Sequence, residues 1–419
     1  MKRVIIVLFW VFIVILSFQK YLNAGGLLEK LSYAESKLHN MRVEWSKGWD
    51  LTEVEGFINR ARSELKVGRI SKAEAYIDMA IRIMQAVESK YNSYPSLKVK
   101  NEPLALSNLE LAKLIAVRTI KNGIVGYSWG QTVAMKGLLA TGNWGYVKAL
   151  VDRYVEKDIK PKNVNECAIG DILLTLYDMF KEEKYLKKAK ELGDFILSYK
   201  DKLPSGGIVH EPGTRQLWID TVYMICPFMV RLREPYREEG LRQLYIHIRY
   251  LMNPNVFLFH HAWDESTLSL TQHYWARGNG WMLATLVEIF PYVEEEDRNY
   301  MEPIIKSMAS ILSKLQDKSG LWHTLINMRD TYLETSGSAL LGYGIHRAIQ
   351  LGILDKGYMD VVNKTLKGIR ARISEEGDVL GVSEGTGPGD YIYYARRKLG
   401  VFLHGQGTVL LFLGGFNNE

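Results

Sequence analysis

One recurrence constrains this chain more than any single motif. Six times between residues 129 and 407, a polar loop carrying glycine or an aromatic residue runs into an apolar helical pattern. In the first five units a charged break and a second, amphipathic helical pattern follow. The loop landmarks are Trp129-Gly130, 168–170, 218–220, 278–280, 336–338 and 405–407, spaced 40 to 68 residues apart, which leaves room for two helices in each interval. The last unit has only its first helix, GQGTVLLFLGGF, whereas an unpaired helical pattern at 107–121 precedes the first landmark. One end completes the other. Twelve helices in six pairs with meeting ends predict an all-α fold, an (α/α)6 barrel or six-hairpin toroid, in which the first helix of each pair lies inside. ILLTLYDMF and WMLATLVEIF are apolar nearly all round, as helices sandwiched within a barrel must be. Strand patterns are sparse. An open solenoid would need polar capping ends, and the C-terminal VLLFL is not polar.

Two segments precede the barrel. Lys2 and Arg3 stand before a 15-residue apolar run at 4–18, with Ala24-Gly25 as a small-residue cleavage point. That order reads as a secretory signal peptide over 1–24, or else a membrane anchor, although a spanning helix uses roughly 20 apolar residues. The chain is therefore expected to be secreted or extracytoplasmic, with possible membrane association through this segment. Residues 25–98 carry charged amphipathic helical patterns broken near Trp49-Asp50 and at 68–71, with Ser71 and Glu74 spaced as a capping box, and predict a small helical hairpin. SYPSLKVKNEP, with Pro95 and Pro103, reads as the linker into a catalytic-size domain over 99–419.

Composition removes several function classes. Of 419 residues, 47% are hydrophobic and 24% charged, which excludes disorder, and the charge of +6 is spread without a Lys/Arg run, so no nucleic-acid partner is expected. Cys167 and Cys226 lie far apart with no CxxC spacing, which excludes a disulfide scaffold and a thiolate zinc site. His260, His261, Asp264 and His273 cluster in sequence but lack HExxH or comparable ligand spacing, so neither a metal nor any other cofactor is expected. The glycines of GTGPGD at 385–390 lack the GK[ST] of a phosphate loop and read as a turn.

If the inner helices begin at the landmark loops, all six loops open on one end of the barrel. They are rich in tryptophan: Trp129, Trp218, Trp263, Trp275, Trp281 and Trp322 lie in or beside them. Aromatic planes over a cleft suit the C–H faces of sugar rings, while plain filling of the barrel end suits any one of them equally well. Asp220 stands at the start of the apolar helix TVYMICPFMV, where burial would raise its pKa toward general-acid use and a helix N-terminus would lower it. Alternatively it caps that helix. In WARGNGW, Arg277 is flanked by Trp275 and Trp281, so its guanidinium could fork onto a uronate carboxylate or pair within the fold.

Taken together, QLWIDTVYM, HHAWDES, WARGNGW, YLETSGSAL and HGQGTVLLFL resemble the unsaturated glycuronyl hydrolases of glycoside hydrolase families 88 and 105, particularly the unsaturated rhamnogalacturonyl hydrolases. The resemblance spans roughly 105–413 and implies an (α/α)6 barrel. It implies Asp220 as general acid/base, with Trp218, His210, His261, Trp275, Arg277 and Trp281 around a small oligosaccharide substrate; Trp129 joins them as a loop aromatic. The implied reaction protonates carbon 4 of a 4,5-unsaturated uronate and adds water at carbon 5, after which the hemiketal opens and expels the aglycone. Three positions depart from the family pattern. Asn165-Glu166 stands where an aspartate is usual, leaving Glu166 as its replacement; Glu211 stands where lysine commonly follows the upstream histidine; and the loop from His261 to Trp275 is short. An (α/α)6 glycosidase acting on saturated sugars and a non-catalytic uronate-binding surface protein remain the alternatives.

Overall fold

The computed structural model describes residues 52–92 and 104–416, together with part of 27–38. The expected signal or anchor at 1–24 and the linker at 93–103 lie outside the described residues. The membrane association is withdrawn: among the described residues no helix is long and apolar enough to cross a membrane.

The chain divides into two compact units, one within Met1–Ser96 and one from Leu97 onward less residues 330–332. In the first, α1 (Thr52–Lys66) and α2 (Ile70–Asn92) are joined through Gly68, whose φ of +72° is open to glycine at little cost. Val54, Ile58 and Ala61 meet Ala73, Ile77, Ala80 and Met84, and helical residues at 27–38 add Leu27, Leu31, Ala34 and Leu38 to the same core. Helix α2 starts at Ile70, so Ser71 sits in its first turn rather than capping it.

The second unit is the toroid. Its outer helices are α3 (Asn108–Asn122), α5 (Trp144–Glu156), α7 (Glu183–Leu197), α9 (Tyr236–Leu251), α11 (Glu295–Leu315) and α13 (Met359–Arg370). Its inner helices are α4 (Trp129–Ala140), α6 (Ile169–Phe180), α8 (Asp220–Arg231), α10 (Ala276–Ile289), α12 (Thr335–Gln350) and α15 (Leu403–Gly414); the short α14 (Tyr391–Ala395) lies in the last connection. Inner helices touch in the order α4, α6, α8, α10, α12, α15 and back to α4, and α15 takes α3 as its outer partner. The terminal helix thus completes the unpaired first one. Burial explains the division: in α10 and α15 nearly every residue is buried, whereas α13 buries only one face. Helix α3 starts at a true capping box, in which Ser107 and Glu110 satisfy each other's backbone N–H groups.

Two features hold the ring in order. Lys136 Nζ of α4 lies 2.7 Å from Asp171 of α6 and 2.6 Å from Glu288 of α10, and Arg231 of α8 reaches the other oxygen of Asp171 at 2.5 Å. Burial works against the Asp171 charge, but the two cations hold its carboxyl well below the usual range. The closing seam between α4 and α15 runs on glycine. A Cβ on Gly137 would meet Gly407 O at 2.3 Å, and one on Gly407 would meet Val133 O at 2.3 Å.

Short strands line the loop end. β1 (Gln216–Trp218), β4 (Ala262–Asp264) and β5 (Ser269–Leu270) form a three-stranded antiparallel sheet, and β2 (Met252–Asn253) pairs β3 (Leu258–Phe259). Two further ribbons pair β6 (Trp322–His323) with β7 (Leu333–Glu334) and β8 (Val382–Ser383) with β9 (Leu399–Gly400).

Because the α4–α15 seam leaves no room for a side chain, Gly137→Ala is expected to destabilise the barrel by about 1–3 kcal/mol. Gly145→Ala, on a helix position with nothing within 4 Å, should be neutral or slightly stabilising. Urea unfolding midpoints of the two variants check this.

Candidate active site

Strand pairing assembles the central pair. In the β1–β4 register Trp218 lies opposite Ala262 and Leu217 opposite Trp263, and the ladder continues as Ile219 N–H donates to His261 O at 2.9 Å. Asp220, the next residue, opens α8 without capping it, since no side-chain cap bond forms there. Its carboxylate turns instead to His261, with Oδ2 at 2.9 Å from Nε2. The other imidazole nitrogen, Nδ1, lies 2.8 Å from the Tyr394 hydroxyl.

Aromatic rings wall this pair. His261 stacks on Trp275 at 4.2 Å and meets Trp218 edge-on at 5.8 Å, while Trp218 stacks on His210 at 4.7 Å. His210 in turn bonds through Nδ1 to Thr221 Oγ1 at 2.9 Å. Trp218 is fixed from behind: its Nε1 donates to Gln216 Oε1 at 2.9 Å, and Gln216 Nε2 donates to Asp264 Oδ2 at 2.7 Å. Asp264 is therefore a support for the tryptophan. It also accepts the backbone N–H groups of Ser266 and Thr267, and the Gln216 amide holds its carboxyl below the ordinary range. Among the described residues no group of histidine, cysteine, aspartate and glutamate could hold a metal ion.

Electrostatics at Asp220 is a contest with a definite direction. Burial pushes its pKa up, but the charge and hydrogen bond of His261, with smaller pulls from His210 and Arg277, bring it below the ordinary value. The carboxylate is 14% exposed, and its Oδ1 makes no hydrogen bond among the described residues. His210 is driven the other way by burial, to about 4, so it is neutral at neutral pH.

Arg277 departs from the fork expected toward a uronate. It is completely buried, and its terminal nitrogens are taken by the protein: Nη1 donates to Ser336 Oγ, Ser383 O and Ser383 Oγ, and Nη2 to Glu384 O at 2.8 Å and Thr386 Oγ1 at 3.1 Å. Glu334, fully buried at the start of α12, lies 3.5 Å away and also binds Gly337 N, Ser336 Oγ and Ser383 N. Together they pin residues 383–386, beyond which Gly387 approaches the Trp218 ring. Trp275 remains beside the guanidinium, 4.6 Å from its ring centroid.

The remaining expected residues separate from the pair. Trp281 is fully buried and stacks on Tyr223 at 4.6 Å inside the ring, and Trp129 meets it edge-on at 6.5 Å while packing on His404. Glu166 lies in a 3-10 turn at Val164–Cys167 and accepts the Lys162 backbone N–H at 2.8 Å. Its carboxylate is turned to its own loop. Glu211 is exposed. Gln216, Thr221, Glu334, Ser383, Thr386 and Tyr394 escaped the sequence reading as supports of the site. Gln216 and Thr221, within QLWIDTVYM, and Glu334, within YLETSGSAL, lie in motifs that offered a signal; Ser383, Thr386 and Tyr394 offered none.

Arg277→Met is expected to cost about 3–5 kcal/mol, because it leaves Glu334 charged and unpaired in the core. A role in substrate contact alone would leave thermal unfolding unchanged. His210 supplies a second check. Its unfolded-state value is the ordinary 6.5 and its folded value about 4, so the unfolded chain binds the extra proton between them. Its contribution is intact above about pH 6.5 and is lost as pH falls toward 4, by up to about 3 kcal/mol. The unfolding midpoint should drop across that window, less steeply in His210→Asn.

Comparison with known proteins follows the same outline. The family model described as Glycosyl Hydrolase Family 88 matches residues 125–415. The unsaturated rhamnogalacturonyl hydrolase YesR of Bacillus subtilis strain 168 is 34% identical over 281 residues, covering 62% of this chain and 80% of its own. Among solved structures, a possible member of the GH105 family from Klebsiella pneumoniae subsp. pneumoniae MGH 78578 superposes with a TM-score of 0.70 at 24% identity, over 77% of this chain and 97% of that one. A family 105 glycoside hydrolase from C. acetobutylicum ATCC 824 gives 0.65 at 22% identity, over 74% and 99%. The two structures carry the six-hairpin fold, and the sequence matches carry the kinship: this chain belongs to glycosyl hydrolase family 88.

Proposed function

We propose that the protein removes a 4,5-unsaturated uronate from the non-reducing end of oligosaccharides left by polysaccharide lyases, with Asp220 as the acid. The observation that carries the reading is the Asp220–His261 pair at 2.9 Å, set between Trp218 and Trp275. Ordinary glycosidases flank the bond with two carboxylates. Here the partner of the carboxylate is an imidazole, which suits a reaction needing one proton donor and one water.

The substrate is a vinyl ether. Asp220 gives its proton to carbon 4 as the π electrons move to form that C–H bond, and the positive charge left at carbon 5 is shared with the ring oxygen. Water adds at carbon 5 and returns a proton to Asp220. The hemiketal opens to a ketone, and the hemiacetal so exposed at carbon 1 releases the aglycone. In the free enzyme Asp220 is held below its ordinary pKa, so the acid form must be made on binding. The uronate carboxylate brings negative charge and displaces water, and both effects raise the Asp220 pKa. Trp218 and Trp275 supply aromatic faces for the sugar.

The Bacillus subtilis relative is named for unsaturated rhamnogalacturonyl substrates, which makes unsaturated galacturonyl-rhamnose the first compound to try. Three lesser elements of the reading concern residues beyond the pair. Arg277 acts on the site through its charge and through the 383–386 segment; Glu166 serves its own loop; residues 25–98 form a helical module separate from the catalytic domain at 99–419.

Incubation with unsaturated galacturonyl-rhamnose should abolish the enol-ether ultraviolet absorbance. Asp220→Asn should lower kcat by about 10²–10⁴ while still binding the disaccharide. Undiminished turnover in this variant would remove Asp220 from the acid role. Unchanged absorbance with the wild-type chain, repeated over a panel of unsaturated disaccharides, would overturn the substrate class.

A further inference from the structure

We infer that Tyr394 is a positioning residue for this chemistry: its hydroxyl donates to His261 Nδ1, fixes the imidazole with its Nε2–H toward Asp220 Oδ2, and thereby places the acid proton on Asp220 Oδ1. The inference rests on the hydration reading and deepens it. Tyr394 comes from α14, 133 residues from His261, just beyond the glycine-rich segment that the sequence presents as a plain turn.

The hydrogens around the His261 ring decide its tautomer. The Gly389 backbone N–H donates to the Tyr394 hydroxyl at 3.3 Å. On the other side of the ring the Asp220 carboxylate only accepts, so the hydrogen of the 2.9 Å contact with Oδ2 belongs to Nε2. What remains is the phenolic proton, and the acceptor at 2.8 Å is His261 Nδ1. A nitrogen that receives this bond carries no hydrogen of its own, which leaves the ring hydrogen on Nε2, 2.9 Å from Asp220 Oδ2.

Two consequences follow for the acid. Oδ2 is occupied by the Nε2–H donor, so a proton arriving on Asp220 goes to Oδ1, the oxygen with no other bond among the described residues. From there it passes to carbon 4 of the substrate, and water adding at carbon 5 returns one to the same oxygen. In addition, the bond at Nδ1 holds the ring from the side away from Asp220, so Nε2 stays directed at Oδ2. Among the described residues no other group facing this centre bonds to that nitrogen. His210 is neutral in its buried stack, Arg277 keeps a fixed charge bound by residues 383–386, and Tyr393 and Tyr391 neighbour Tyr394 from its own short helix. Burial raises the Tyr394 hydroxyl far above its ordinary pKa, which keeps its proton in place.

The test has two arms on the full chain. In Tyr394→Phe the ring loses the bond that directs it, and kcat on unsaturated galacturonyl-rhamnose should fall about tenfold with KM nearly unchanged. A rise in KM at unchanged kcat, or no change at all, would overturn the inference. The second arm needs neither substrate nor a folded variant at that position. In wild-type chain labelled with ¹⁵N-histidine, the His261 signals, recognised by their loss in His261→Gln, should report unprotonated Nδ1 and protonated Nε2 at about pH 8. An Nδ1–H tautomer would contradict it, and this outcome is independent of whether the uronate reading holds.

Discussion

Closure of the inner ring depends on the contact between α4 and α15, where two backbones approach across Gly137 and Gly407. A single added carbon there would collide with carbonyl oxygen at 2.3 Å. Without that approach the six inner helices could not return on themselves, and the loops before them would not converge at one end. Everything catalytic follows from the convergence: Asp220 opens α8, Arg277 opens α10, Glu334 caps α12 and His404 begins α15. The ion pairs of Lys136, Asp171, Glu288 and Arg231 tie four of the same helices together within the ring.

At the loop end, charge is arranged in two layers. The inner layer is the Asp220–His261 pair with its aromatic walls, which is where a sugar ring and a proton can meet. Behind it Arg277 and Glu334 are wholly buried and spend their hydrogen-bonding capacity on serines, threonine and backbone. Such a satisfied buried pair does little for net stability, but it fixes where residues 383–386 run, and losing either partner is expensive. Those residues lead to Gly387 beside Trp218 and to Gly389 on the Tyr394 hydroxyl. The C-terminal third of the chain therefore shapes a centre whose carboxylate, Asp220, lies near its middle.

Much of this was legible before any coordinates, for physical reasons. Helical periodicity repeats with the unit, so the number of pairs and the joining of the two ends could be read directly from apolar spacing. Asp220, His261, Trp218, Trp275 and His210 were legible because short polar motifs with tryptophan have few purely structural uses. For Arg277 the sequence leaves a uronate and the fold itself equally open as acceptors, since a guanidinium offers the same fork to a ligand as to Ser383 and Glu384, and only burial tells them apart. For Trp281 the sequence leaves a wall for sugar and barrel filling equally open, because a tryptophan at helix spacing looks the same in either place, and its complete burial against Tyr223 places it in the core. Glu166 was offered as a missing carboxylate on position alone, and its turn points it back at Lys162. Tyr394 was invisible: it follows a Gly/Pro segment without period, and its partner lies 133 residues away. The membrane association fell to the absence, among the described residues, of any helix long and apolar enough to cross a bilayer.

The central claim is that this centre protonates carbon 4 and lets water add at carbon 5, leaving the anomeric carbon untouched until the ring opens. Brief reaction of unsaturated galacturonyl-rhamnose in D₂O, with the product followed by NMR from the earliest turnovers, tests it most directly. Deuterium delivered to one face of carbon 4, with loss of the double bond, is the predicted result. A product that keeps the double bond while rhamnose is released would contradict it and make the protein an ordinary glycosidase.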